Sequence, residues 1–384
     1  MTTIRAPWLR DADTQTVLSV LGNAGAQALA VGGCVRNTLM GLPIKDIDIA
    51  TDARPEKVMR LARDAGLRAI PTGIDHGTVT VVVNGTAFEV TTFRRDVETD
   101  GRHAVVHFAD TVEEDAARRD FTMNALYLTK DGMLVDPLGG FDDLQRHYVR
   151  FIGDAAERIR EDYLRSLRYF RFHAIYGDPE EGFDAEALAG IAKNLDGLDK
   201  LSKERVEAEI LKLLGADDPA PSVATMRQVG VLARCLPGAD DKGLARLVYL
   251  ESEAGVSPDA LRRLALLGGV SPVDDLRLSR ADQKRLSNLR DGIGNMQPPG
   301  ELGYRLGSDA ATNVVLLRAA SLETDLPDGF QDQITTGATA EFPIKANYLM
   351  PNYTGAALGA RLDELERAWI ASNFTLDRSA LMEL

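Results

Sequence analysis

Two carboxylates one residue apart, Asp46 and Asp48, lie in the run Lys45 to Ala50, K-D-I-D-I-A. In an extended strand successive side chains alternate faces, so both acids point one way while Ile47 and Ile49 point into a core. Paired carboxylates are hard oxygen ligands suited to Mg²⁺, a cation that also binds phosphates. Upstream, Gly32 and Gly33 open a short apolar stretch that carries Arg36. Glycines let a phosphate approach backbone N–H groups where a helix begins. A lone D-x-D is a weak signal, because exposed strands often carry acids. With the glycine pair at this distance, it points to metal-assisted chemistry on a nucleoside triphosphate.

Two further constellations carry polar chemistry. Arg118, Arg119 and Asp120 directly precede the apolar run from Phe121 to Leu126. One reading makes Asp120 a helix cap and the arginines surface residues. In the other, the arginines hold triphosphate oxygens and Asp120 accepts a ribose hydroxyl. Further on, Asp162, Arg165, Arg168 and Arg171 recur every third residue. On a helix each such step drifts by about 60°, so the four form a slanted ridge. Leu164, Leu167, Phe170 and Ile175 would then face the core, with an ion pair between Asp162 and Arg165. Amphipathicity leaves three arginines on one ridge without matching acids. An aspartate beside an arginine can present an acceptor and a donor to a base edge. Glu89, in a nearby β-rich run, reads first as a solvated strand acid and second as a third acidic neighbour of the carboxylate pair.

The elements that must position these groups fall into two halves. Residues 28–31 read as a strand, 34–40 as a helix, 44–50 as the carboxylate strand and 55–65 as a second helix. The β-branched runs 78–83 and 86–93 flank Asn84-Gly85, a strong hairpin signal, and 133–135 is a further short strand. This order predicts an α/β domain with a mixed sheet over residues 1–150. From about residue 154 strand signals fade. Helical patterns over 155–175, 202–214, 223–229, 258–267, 281–290 and 358–370 predict an all-α remainder. Residues 94–117 are charge-rich with little periodicity and read as a long connection, of the kind that often serves function.

Other features exclude whole classes. The sequence contains no G-x-x-x-x-G-K-[ST] phosphate loop, no G-x-G-x-x-G after a strand and no His-Asp dipeptide. Two cysteines rule out a disulfide framework and make the cytoplasm the expected compartment. Neither they nor the five histidines have zinc-site spacing. No apolar run of about 18 residues predicts a membrane span, and the first ten residues lack the apolar core of a signal peptide. A net charge of −14 argues against a general nucleic-acid coat protein. Recognition of one shaped nucleic acid needs only local positive charge, as on the arginine ridge.

The ordered motifs GGCVRN, KDIDIAT, RRDFTMNALY, DPLGGFDDL, EDYLRSLRYFRF and LSKERVEAEI resemble those of class II tRNA nucleotidyltransferases, the CCA-adding enzymes related to bacterial poly(A) polymerases. The matching motifs span residues 28–214; beyond about 215 the likeness is loose. The resemblance implies a polymerase-β-like α/β nucleotidyltransferase head (1–150), a helical neck holding a nucleobase template (151–215), and a helical body and tail that bind tRNA (216–384). By the same resemblance, Asp46 and Asp48 hold Mg²⁺ and catalyse. Gly32, Gly33 and Arg36 contact the triphosphate, and Arg118, Arg119 and Asp120 bind phosphate and sugar. Asp162 and Arg165 template CTP or ATP, supported by Arg168 and Arg171. Residues 94–117 correspond to the mobile segment that switches such enzymes from C to A. Asn37 stands where the family commonly has Asp, which predicts altered helix capping. The implied reaction adds C, C and A to the 3′ end of tRNA. A poly(A) polymerase on the same fold, or a catalytically silent RNA-binding relative, are the alternatives. Residues 151–384 hold 27 Lys+Arg against 37 Asp+Glu, so a tRNA-binding face must be segregated. Lys203, Arg205, Arg227, Arg262, Arg263 and Lys284 are the candidates for it.

Overall fold

The computed structural model describes residues 2–100, 103–294 and 296–384. The chain forms two compact units, Met1–Leu213 with Pro221–Cys235, and Leu214–Ala220 with Leu236–Leu384.

The first unit is built on a seven-stranded sheet. Its strands are β1 (Ala28–Val31), β2 (Asp48–Thr51), β3 (Arg68–Gly73), β4 (Thr78–Val83), β5 (Thr86–Thr92), β8 (Tyr127–Leu128) and β9 (Leu134–Val135), in the order β3-β4-β5-β2-β1-β8-β9. Only β2 and β5 pair in parallel; the other ladders are antiparallel, so the sheet is mixed. In β4, Val79, Val81 and Val83 face the core while the intervening residues are half-buried. Asn84 (φ 48°) and Gly85 (φ 91°) close the β4–β5 hairpin with positive φ at both turn positions, as a type I′ turn requires. Helix α1 (Ala12–Gly22) precedes β1, α2 (Gly33–Leu39) follows it, and α3 (Pro55–Asp64) starts on a proline that needs no N–H donor there.

Three local expectations are corrected. Strand β2 begins at Asp48 rather than residue 44, leaving Asp46 in irregular chain before it. The ladder stops because Asp48 pairs with Val31, the last residue of β1, after which Gly32 (φ 73°) turns the chain into α2. Residues 94–117 are not an unstructured connection. They form a hairpin of β6 (Arg94–Asp100) and β7 (His103–Phe108), then α4 (Val112–Ala117); Gly101 and Arg102 lie outside the described residues. The helix expected over 155–175 is two helices, α6 (Ala155–Glu161) and α7 (Leu164–Tyr176), after the short α5 (Gly140–Gln145). Asp162 breaks it: its backbone is extended (φ −150°, ψ 105°) and its carboxylate accepts the Leu164 N–H. Leu164, Leu167 and Phe170 are buried as expected, but Ile175 is exposed.

Helix α7 packs through an aromatic cluster onto the Phe121 and Phe151 segments, which pair in an isolated bridge outside the sheet. Phe121, Phe151, Tyr169 and Phe172 pack with ring centroids 4.8 to 6.2 Å apart. Helices α8 (Ala185–Lys193) and α9 (Lys203–Leu214) complete the all-α surroundings. Close approach at Gly140 holds α5 in place, since an added Cβ would sit 2.2 Å from the Thr122 carbonyl oxygen. Backbone cannot swing aside as a side chain can. We therefore expect Gly140→Ala to cost about 1–3 kcal/mol in a urea titration.

The second unit is helical, with one core around Leu302, Ala311, Val314 and Ile334 and another around Ile344, Leu365, Trp369 and Leu381. None of the described helices is long and apolar enough to cross a membrane.

Candidate functional site

The first group of polar residues gathers where β1 and β2 end. Asp48 opens β2, with Val31 of β1 on one side and Glu89 of β5 in direct register on the other. Burial raises the Asp48 carboxyl above its ordinary range; Glu89 adds to this, Arg119 opposes it and Asp46 adds again. Asp46 and Glu89 are thus both close enough to raise Asp48, while Arg119 opposes them; Glu89 itself is exposed on β5. Asp46 is exposed. Among the described residues, no three acid, His or Cys side chains already converge on one metal position. The donor set is nonetheless one that a divalent cation fits: the half-buried Asp48 beside two exposed carboxylates that repel it, all hard oxygen ligands.

Gly32 caps α2 at a positive φ that other residues rarely adopt. A Cβ there would stand 3.5 Å from Nη1 of Arg119, so the glycine leaves the space over which this arginine lies. Gly33 follows as the first residue of α2. Behind them Cys34 is buried, its thiol pushed up to about 11, chiefly by burial, and therefore unreactive.

Arg36 faces inward rather than toward this opening. It is buried, donates to Asn124 Oδ1 (2.5 Å), Asn37 Oδ1 (2.9 Å) and the Tyr176 hydroxyl (2.8 Å), and lies 4.1 Å from the Tyr176 ring centroid. It ties α2 to α7. Asn37 accepts from Arg36 and donates to the Pro43 carbonyl at 2.7 Å. Its role is therefore to brace the turn before Asp46. The expected change in helix capping does not occur, because Gly32 and Met40 are the caps of α2.

Arg118 and Arg119 converge on Asp115, a residue the sequence reading missed. Its carboxylate accepts from Arg118 Nε (2.9 Å), Arg119 Nη2 (3.0 Å) and the Tyr127 hydroxyl (2.9 Å), while Arg119 Nε also donates to that hydroxyl (3.1 Å). Burial opposes its charge, but the two guanidinium groups outweigh this and hold the carboxyl below its usual range. In the sequence Asp115 was one acid in the run Glu113-Glu114-Asp115; the signal that singles it out is its spacing of three and four residues from Arg118 and Arg119.

Asp120 turns inward as well. One oxygen accepts from the Phe121 N–H and the Asn124 amide, and the other receives both Nε and Nη2 of Arg168, the latter at 2.5 Å. Burial would raise this carboxyl, yet Arg168 and the hydrogen bonds bring it down to about 2. Neither the surface-cap reading nor a free acceptor for a ribose hydroxyl describes this state.

The ridge on α7 is corrected in its pairing. Each arginine has an acid from another element: Glu161 for Arg165 (2.5 Å), Asp120 for Arg168 and Glu209 of α9 for Arg171 (2.5 Å). Asp162 pairs with Arg205 (2.7 Å) rather than with Arg165. Arg165 additionally donates to the Arg158 and Arg118 carbonyls. The ridge is thus a neutralised lattice that fixes the half-buried Asp162 and Arg165 at the α6–α7 junction. Of the residues considered for tRNA contact, Arg262 and Arg263 are excluded. Both are buried in the second unit on Glu251, at 2.8 and 2.7 Å. Lys203, Arg227 and Lys284 are exposed.

Residues 28–150 match the family model for the poly A polymerase head domain, and 182–242 match the probable RNA and SrmB-binding site of polymerase A. The chain is 33% identical over 371 residues to the mouse (Mus musculus) mitochondrial CCA tRNA nucleotidyltransferase 1, covering 91% of this chain and 84% of that protein. It is 41% identical over 241 residues to the CCA-adding enzyme of Limosilactobacillus fermentum, covering 62% of this chain and 58% of that enzyme. The crystal structure of the Bacillus stearothermophilus CCA-adding enzyme in complex with CTP superposes with a TM-score of 0.75 at 28% identity, over 99% of this chain and 98% of that one.

Proposed function

This chain belongs to the CCA-adding tRNA nucleotidyltransferases, and we propose that its reaction is carried by Asp46 and Asp48 at the open end of the sheet. The enzyme adds C, C and A to the 3′ end of tRNA from CTP and ATP and releases pyrophosphate. The alternatives, a poly(A) polymerase or a silent relative, are not favoured by relatives that are named for CCA addition. The family uses divalent metal ions. The observation that carries our assignment is Asp48 in register with Glu89 and near Asp46, its carboxyl raised by burial and by both acids and opposed by Arg119.

In this reading Asp46 and Asp48 hold Mg²⁺, with Glu89 adjacent. The bound ions supply charge neutralisation at the attacking hydroxyl and the leaving pyrophosphate. Arg118 and Arg119 meet the triphosphate, and Gly32 and Gly33 leave room for its approach. The 3′-hydroxyl of tRNA attacks the α-phosphorus, so a P–O bond forms to the RNA as the bond to pyrophosphate breaks. No covalent intermediate on the protein is needed, because alignment and fixed charge supply the catalysis. Arg36, Asp120, Arg168 and Arg171 act by holding α2, the Phe121 turn and α7 in register. Residues 1–150, 151–215 and 216–384 serve as head, neck and tRNA-binding body, with residues 94–117 as the segment that switches from C to A. Two buried, unpaired cysteines suit a reducing compartment, and we assign the cytoplasm.

Asp162 and Arg165 are the base-reading pair in this scheme: one acceptor and one donor, braced by Arg205 and Glu161 before a base arrives. A good bidentate base contact discriminates by about 1–3 kcal/mol. Asp162→Ala or Arg165→Ala is therefore expected to relax the preference for CTP and ATP over UTP and GTP by roughly 5- to 150-fold while transfer persists. Single-turnover rates with each of the four nucleotides measure this, and an unchanged preference in both variants rejects the template. Replacing Mg²⁺ with Ca²⁺ or Mn²⁺ in the same assay tests the metal assignment: full rates with either alone and none with Mg²⁺ would reject it.

A further inference from the structure

We infer that Asp115 is a positioning residue that aims Arg119 at the phosphate end of the incoming nucleotide and keeps it off Asp48. The inference rests on the reading of Arg119 as a triphosphate contact. Asp115 and Tyr127 together hold the Nε–Nη2 edge of Arg119. The opposite nitrogen, Nη1, makes no hydrogen bond to protein among the described residues and lies over Gly32. One edge of the guanidinium is locked and the other faces the space the glycine leaves open.

Two carboxylates compete for this cation. Arg119 already offsets the charge of Asp48. A flexible arginine beside a carboxylate that is short of partners tends to close into a bidentate pair. Such a collapse would cancel the charge that a divalent ion needs and withdraw the donor from the phosphates. Asp115 prevents it by taking the same guanidinium in a prior, buried bond. Its own carboxylate is only 1% exposed, so no water competes for it. Arg118, which binds the other Asp115 oxygen, orients that carboxylate and keeps it ionised. Tyr127, fully buried on β8 opposite Val31, completes the bracket from the strand that borders β1.

The readout is the ratio of affinities for CTP and CMP, measured by titration calorimetry with the full-length enzyme and Mg²⁺. The two ligands share base and sugar and differ in the phosphates that Arg119 would meet. Asp115→Asn is expected to lower this ratio about tenfold by weakening CTP while CMP binding holds, since a charge-assisted bond becomes a neutral one. Tyr127→Phe keeps the buried ring and removes only the hydroxyl; it is expected to lower the ratio about three- to fivefold, the scale of one hydrogen bond. Tyr127→Phe carries the test if Asp115→Asn does not fold. Adding either change to Arg119→Ala is expected to have no further effect on the ratio. An unchanged ratio in Arg119→Ala overturns the phosphate reading of Arg119 itself. A lowered ratio in Arg119→Ala with an unchanged ratio in both other variants overturns the role of Asp115. Parallel loss of CTP and CMP binding marks a merely structural contribution and also overturns it.

Discussion

Asp46→Ala is expected to abolish addition of both C and A to tRNA, lowering the rate by at least about a thousandfold while leaving the fold intact. The two halves of this expectation come from different facts. Asp46 sits in irregular chain before β2, exposed to solvent. A surface replacement away from packing and hydrogen bonds changes stability by roughly 0.5 kcal/mol or less. A metal ligand that neutralises developing charge supplies several kcal/mol of transition-state stabilisation, and each 1.4 kcal/mol or so is tenfold in rate. Asp48→Ala should be equally inactive, but it is the poorer test because Asp48 is half-buried in the ladder between Val31 and Glu89. Normal turnover by Asp46→Ala, with an unchanged unfolding midpoint, would remove the metal site from this end of the sheet.

Asp120→Ala is expected to destabilise the first unit by about 2–3 kcal/mol, less than the cost of breaking a fully buried ion pair because Arg168 keeps part of its contact with solvent. The loss arises because Arg168 stays behind with both Nε and Nη2 deprived of their acceptor, and the Phe121 N–H and Asn124 amide lose theirs. The effect spreads, since Asn124 also accepts from Arg36, which in turn holds Tyr176 at the end of α7. A urea titration followed at the far-ultraviolet helix signal measures the change. A shift under about 1 kcal/mol would mean that Asp120 is free to serve the nucleotide, as its sequence context suggested. The same pair sets a pH dependence. The Asp120 carboxyl lies at about 2 in the folded chain against 3.8 for an unperturbed aspartate. A depressed carboxyl contributes stability that is present above the unfolded value and lost as pH falls through the folded one. Unfolding free energy should therefore drop between about pH 4 and pH 2, with on the order of 2 kcal/mol from this group. Asp120→Asn should flatten that part of the profile.

Much of the architecture was legible because local chemistry and tertiary structure agree there. The apolar run at β1, the alternation of β4 around Asn84-Gly85 and the proline start of α3 each specify one element by themselves. Strand β3 was not foreseen, since its sequence Arg-Ala-Ile-Pro-Thr-Gly has little alternation and a proline; it lies at the sheet edge, where such a strand is tolerated. The break at Asp162 was hidden by helical spacing on both sides, although an aspartate two residues before a helix start is a capping signal. The site divides in the same way. Residue types and spacing pointed to Gly32, Asp46, Asp48 and Arg119, which the fold brings to one end of the sheet. For two arginines of the ridge the partner comes from far along the chain: Asp120 lies 48 residues before Arg168 and Glu209 lies 38 after Arg171. Periodicity carries no information about such pairs. That is why the ridge looked like unpaired positive charge at Arg168 and Arg171; Asp115, by contrast, lies three and four residues before Arg118 and Arg119, a local spacing that the sequence reading passed over.

The central claim is that this fold, with its paired acids, builds a defined three-nucleotide end and then stops. The most direct test is to incubate the full-length enzyme with tRNA lacking its terminal CCA, CTP, ATP and Mg²⁺, and to sequence the product ends. The expected product carries C-C-A and no further nucleotide, at every incubation time after completion. A lengthening run of A, addition of C alone, or an unaltered end would contradict it.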